Sequence, residues 1–190
     1  MEISGFTKLK AIIEVILFTS DVPVSPGRIV GIFQDEQVTG KEIRAAVDEL
    51  NTEYRRTGRI FQIVEVAGGF QMAVLKEYAP WIRAFQKERP IKLSAAALET
   101  LSIIAYRQPI IRVEIENIRG VDSGGVLKTL MERRLIRIAG RSDGIGKPLL
   151  YVTTDEFLRY FGLRTLADLP KPKELEDLLR ERDGGAHSAE

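Results

Sequence analysis

The 190-residue sequence contains no cysteine. That absence excludes disulfides, thiolate nucleophiles and cysteine-ligated zinc, and makes a reducing cytoplasm the natural setting. Histidine occurs once, as His187 in a polar C-terminal stretch. No scaffold there can orient it for general base work or metal ligation, so neither a Ser-His-Asp nor a Cys-His arrangement is expected. The longest apolar run, residues 11–18, is broken by Glu14 and falls far short of the ~20 residues that cross a bilayer. The N-terminus has neither the basic start nor the small-residue cleavage site of a secretory signal, so export is not expected. A charge excess is missing too: 28 Lys and Arg stand against 27 Asp and Glu, for a net charge of +1. Proteins that grip DNA alone draw most of their affinity from phosphate neutralisation and usually carry a strong basic excess. Here residues 1–89 are neutral, 90–169 carry +3 and 170–190 carry −2.

What is present is periodicity. After Leu93, a helix capped by Ser94 places Leu98, Leu101, Ile104 and Ala105 on one face and stops at Pro109, which cannot donate the helical bond. A second helix from Arg112 turns Ile115 and Ile118 inward and ends at Gly120, which suits a left-handed cap. A third starts at Asp122, with Asp122 or Ser123 as its cap. It repeats Val126, Leu127, Leu130, Met131 and Leu135, leaving Lys128, Glu132 and Arg133 to solvent. Residues 136–139 and 150–152 alternate as strands around the turn-rich stretch 140–148. Thr153 and Glu156 have capping-box spacing, opening a helix that returns Phe157, Leu158 and Phe161 to the core. Three helices, a hairpin with a long tip and a closing helix make a winged helix.

The same plan precedes it. An apolar helix spans residues 8–18, and Ser25 with Pro26 caps a second that buries Ile29, Val30, Ile32 and Phe33. Thr39 and Glu42 form a capping box for a third, on which Ile43, Val47, Leu50 and Tyr54 share a face until Gly58. Strands from Ile60 to Val66 and from Phe70 to Val74 turn at Gly68 and Gly69, and a helix carries Tyr78, Trp81, Ile82 and Phe85. The expected fold is therefore mainly α with small β-hairpins, an α+β chain of two tandem winged-helix domains. The first takes residues 1–89 and the second 90–169, with a flexible tail at 170–190 that offers Leu175, Leu178 and Leu179 as a short amphipathic turn.

Catalytic motifs fail on inspection. Gly144, Gly146 and Lys147 suggest a phosphate loop, but Arg141 stands at the first glycine position and Pro148 at the magnesium-binding hydroxyl. The stretch also joins two strands, not a strand to a helix. The pairs Asp35 and Glu36, and Asp155 and Glu156, sit in a loop and a helix cap and read as solvated or structural. No cofactor and no metal are expected. Binding is the leading class, with two candidate surfaces. In the first helix Leu9, Ile12, Ile13, Ile16 and Leu17, with Ala11, Val15 and Phe18, are apolar on nearly every side, which calls for a covering partner or a second copy. In the second domain Tyr106, Gln108, Pro109, Ile110 and Ile111, with Arg112, Glu114 and Arg119 beside them, combine the aromatic, apolar and arginine groups that interface centres favour. The third helices present mixed charge, as in Lys41, Arg44, Asp48 and Glu49, which does not suit base reading. Arg141 and Lys147 in the wing remain available to a phosphate backbone.

The run Leu93-Ser-Ala-Ala-Ala-Leu-Glu-Thr-Leu-Ser-Ile-Ile-Ala-Tyr-Arg-Gln-Pro, followed by Glu114-Ile-Glu-Asn-Ile-Arg-Gly-Val, resembles the segregation and condensation protein B family. The resemblance continues through Leu130-Met-Glu-Arg-Arg-Leu-Ile, Pro148-Leu-Leu-Tyr-Val-Thr-Thr and Leu166-Ala-Asp-Leu-Pro, and more loosely through the Gly68–Phe70 hairpin. Ile111, Val152 and Lys147 depart from it, where the family often has Thr, Gly and Arg. The resemblance implies a non-enzymatic, homodimeric subunit that binds a kleisin and, through it, the chromosome-maintenance ATPase of bacterial condensin. Dimerisation would fall to the first domain and kleisin binding to both, on a cytoplasmic protein associated with the nucleoid, with weak DNA contact at most and no membrane. The competing reading is a winged-helix transcription regulator that binds DNA directly.

Overall fold

The computed structural model describes residues 5–33, 38–86 and 93–171. Asp35, Glu36, His187 and the tail leucines lie outside them. In the first half, α1 (Gly5–Phe18), α2 (Pro26–Val30) and α3 (Gly40–Arg56) precede the hairpin of β1 (Phe61–Val66) and β2 (Gly69–Val74), then a 3-10 turn and α4 (Ala79–Gln86). The Ser25 hydroxyl caps α2 at Arg28, and Thr39 and Glu42 form the reciprocal capping box of α3. Leu9, Ile13 and Leu17 of α1 bury against Ile43, Val47, Leu50 and Tyr54 of α3, with Ile63 and Phe70 beneath. A backbone bridge between Val24 and Phe70 closes this core. Gly69 permits it, since a Cβ there would lie 2.8 Å from the Val24 carbonyl carbon.

In the second half, α5 (Ala95–Arg107), α6 (Arg112–Arg119) and α7 (Gly124–Glu132) precede β4 (Ile136–Arg141), β5 (Leu149–Thr153) and α8 (Asp155–Phe161). A short β3 (Ile110–Ile111), absent from the sequence reading, pairs with β5, giving the antiparallel order β3-β5-β4. Leu101, Ile104, Ile115, Leu127, Leu130, Ile136 and Phe157 form a second, separate core. The chain is thus an α+β fold in which three helices and a hairpin succeed one another twice.

Several expected details differ. Leu98, Ile118 and Phe161 point outward, because the neighbours at Leu101, Ile115 and Phe157 occupy the core-facing side of each helix, and Ile32, in the turn after α2, is exposed while Ile29 is buried. The cap of α8 is Thr154, whose hydroxyl accepts from Phe157 N–H, and not Thr153. Thr153 ends β5, and its N–H and hydroxyl both donate to Gln108 Oε1. Helix α7 begins at Gly124, where Asp122 Oδ1 accepts the backbone N–H; Ser123 contributes no side-chain cap.

Candidate partner-binding surfaces

Helix α1 is apolar on two sides, and the core takes only one. The other presents Val15 and Phe18, 63% and 78% exposed. With Glu14 and the strand residues Phe61, Met72, Ala73 and Val74 they line a 520 Å³ groove that is apolar apart from one carboxylate. Glu14 is engaged there, its Oε1 accepting the Tyr54 hydroxyl at 2.7 Å. Burial, and then that carboxylate, hold the Tyr54 phenol above its ordinary range, so it remains a donor. Of the residues expected to dimerise, Leu9, Ile13 and Leu17 are buried in this chain's own core, Ile16 packs against it and Ile12 is half-buried. Membership of the core is set by α3, a partner that periodicity within α1 does not reveal. The exposed apolar residues of this half include Val15, Phe18 and Val74, and Trp81 and Phe85 of α4 are its two most exposed rings besides Phe18.

The residues singled out in the second half also divide. Ile110 is buried in β3 opposite Tyr151. Gln108 joins α5 to β5, accepting from Thr153 N–H at 2.7 Å and donating from Nε2 to the Ala105 carbonyl at 3.3 Å. The Arg119 side chain, 5% exposed, donates to Glu99 at 3.1 Å and to the Ser123 hydroxyl at 3.0 Å. These three hold the fold. Tyr106, Pro109, Arg112 and Glu114 are exposed. Tyr106 donates to the Pro170 carbonyl at 2.6 Å beside a 300 Å³ apolar groove that includes Leu101, Ala105, Phe157 and Phe161. Glu114 accepts Ile111 N–H at 3.1 Å, and Arg112 pairs with Glu116 and Asp122. The Ser123 N–H and the Arg112 guanidinium together hold the Glu116 carboxyl below its usual range. Pro109, Ile110, Glu114, Asn117, Ile118 and Arg107 line a 370 Å³ hollow.

Other surfaces are less inviting to nucleic acid. On α7, Lys128 pairs with Glu132 at 3.9 Å, and on α3, Arg44 pairs with Glu65 at 2.8 Å. The wing tip folds on itself, with Arg141 donating to the Lys147 carbonyl at 2.9 Å. Among the described residues no group of three or more His, Cys, Asp or Glu side chains lies close enough to hold a metal ion, and no helix is long and apolar enough to cross a membrane.

The family model described as segregation and condensation complex subunit ScpB matches residues 11–172. A protein named segregation and condensation protein B from Syntrophotalea carbinolica is 47% identical over 176 residues, covering 93% of this chain and 88% of its own. One of the same name from Brevibacillus brevis is 47% identical over 169 residues, covering 88% and 86%. A crystal structure of a dimer of an ScpB N-terminal domain with an ScpA peptide is 32% identical, covers 43% of this chain and 99% of its own, and superposes with a TM-score of 0.38. By the extent of the family match and the level of identity, this chain belongs to the segregation and condensation protein B family.

Proposed function

We propose that this chain is a non-enzymatic, homodimeric adaptor subunit of a bacterial condensin-like complex. It binds the kleisin subunit and through it regulates the chromosome-maintenance ATPase in chromosome condensation and segregation, in the cytoplasm and at the nucleoid. The first half dimerises, and both halves contribute to kleisin binding. The observation that carries the reading is the apolar groove of Val15, Phe18, Met72 and Val74, open in the single chain. An exposed apolar surface of this kind marks a protein–protein contact. Family membership supplies the partner class. On the second half the hollow at Pro109, Glu114 and Ile118 offers a kleisin segment apolar contact with charged edges. Gln108, Ile110 and Arg119 support that surface from within.

Light scattering after size exclusion, with and without the kleisin, tests this reading. Ile118→Asp, at an exposed position, is expected to leave the dimer intact and weaken kleisin binding by about tenfold or more. Undiminished binding by that variant would remove the second-half surface from the proposal. Tight and steeply salt-dependent DNA binding by the isolated protein would favour the regulator reading instead.

A further inference from the structure

Helix α4 carries two large rings that the described residues leave exposed. Trp81 and Phe85 lie four residues apart on one face and are 75% and 87% exposed. Among the described elements, the helix packs substantially on the 3-10 turn Lys76–Tyr78 that leads into it and on no other. It begins just beyond Val74, a groove residue, yet neither ring lines the groove of its own chain. One half of the molecule thus presents an unfilled apolar groove and an unseated pair of aromatic side chains.

We infer that Trp81 and Phe85 of α4 seat in the Val15–Phe18–Met72–Val74 groove of a second copy of this chain, and reciprocally. The inference rests on the homodimer reading above and names its interface. The groove's size and chemistry fit an aromatic occupant, and the area and the two-fold pairing favour a second copy. The groove, at 520 Å³, lies within the ~300–1,000 Å³ of pockets that enclose whole ligands and has room for aromatic rings. Its one carboxylate is already hydrogen-bonded to Tyr54, so the occupant needs no polar group. Buried aromatics contribute ~150–250 Å² each, so Phe18, Trp81 and Phe85 offer about 500 Å² per copy. A two-fold pair doubles this to about 1,000 Å², the size at which specific interfaces begin, before Val15 and Val74 are added. Because ring pair and groove occur on the same chain, a two-fold axis satisfies both at once and closes the assembly at two copies.

The absence of native cysteine makes the seating directly testable. Trp81→Cys and Phe18→Cys variants, carrying tags of different size, are mixed and mildly oxidised. The expected product is the mixed 81–18 disulfide in excess of either like pair; like pairs alone, or no cross-link, would overturn the seating. In parallel, the Trp81→Ala, Phe85→Ala double variant is expected to raise the dimer dissociation constant at least about a hundredfold with its circular dichroism unchanged. A wild-type dimer whose double variant dissociates no more readily overturns this interface and leaves the homodimer reading standing. A wild-type chain that is monomeric overturns both. Protection of a cysteine at position 81 from alkylation only when kleisin is added assigns the rings to the kleisin and overturns the inference.

Discussion

Gln108 shows how one polar side chain can look like a contact residue and serve as a brace. Its Oε1 accepts both the N–H and the hydroxyl of buried Thr153, at 2.7 and 3.0 Å, and its Nε2 donates to the Ala105 carbonyl. The amide therefore ties the end of α5 to the end of β5, where proximity to Pro109 had suggested a role toward a partner. Replacing it by leucine keeps most of the volume but leaves the Thr153 N–H without an acceptor. Gln108→Leu is expected to lower unfolding stability by about 1–3 kcal/mol, the usual cost of a stranded buried donor. Kleisin affinity of the folded variant should stay within about twofold of wild type. Denaturant titration and a binding isotherm check the two halves of this prediction, and a selective loss of affinity would return Gln108 to the interface. Arg119, buried between Glu99 and Ser123, belongs with Gln108 and not with exposed Glu114.

At the scale of elements, the caps are where charge meets fold. Asp168 closes the 3-10 turn Leu166–Asp168, accepting from the Arg164 guanidinium and from the N–H groups of Arg164 and Thr165. The guanidinium first, with those N–H groups adding to it, holds the Asp168 carboxyl below its usual range. Glu42 is lowered likewise by the Thr39 backbone N–H and then its hydroxyl. A carboxyl depressed in the folded state stabilises fully above its unfolded pKa, and that contribution is lost as pH falls through the folded value. Stability is thus expected to decline below about pH 4, and Asp168→Asn should narrow the gap between denaturation midpoints at neutral and acidic pH. An unchanged gap would show that the Asp168 cap carries no stability. The caps at Ser25, Thr39 and Ser94 were legible in the sequence because their bonds span three residues, and they stand where spacing put them. Thr153 and Thr154 exchanged roles because a distant glutamine engages the first of them. Leu98, Ile118 and Phe161 were assigned inward for a related reason. A helix apolar on several sides has no preferred face until a neighbouring element supplies one. The exposed Trp81 and Phe85 were legible as residues and not as surface, since their spacing is the same in a buried helix.

Across the whole molecule, the two cores meet through a turn. The β1–β2 hairpin reverses at Ala67 and Gly68, both with positive φ, of 48° and 71°, the geometry of a tight two-residue turn. Its two N–H groups donate to the Leu163 and Arg164 carbonyls beyond α8, each at 2.9 Å. Those acceptors are held in place by the left-handed cap at Gly162 and by the Arg164–Asp168 pair. Beside the joint lies a 660 Å³ cleft lined by the charged side chains Arg134, Arg137, Asp155, Glu156 and Arg159 as well as by Val22, Pro23 and Ala67. Interfaces between domains of a chain permit relative motion unless they are large and hydrophobic. A β-branched residue at position 68 opposes the left-handed conformation and so displaces the donors without touching either core. Gly68→Val is therefore expected to leave circular dichroism unchanged while enlarging the radius of gyration in small-angle scattering, at matched oligomeric state. If the scattering profile of the variant overlays that of wild type, the halves are held by something other than this turn.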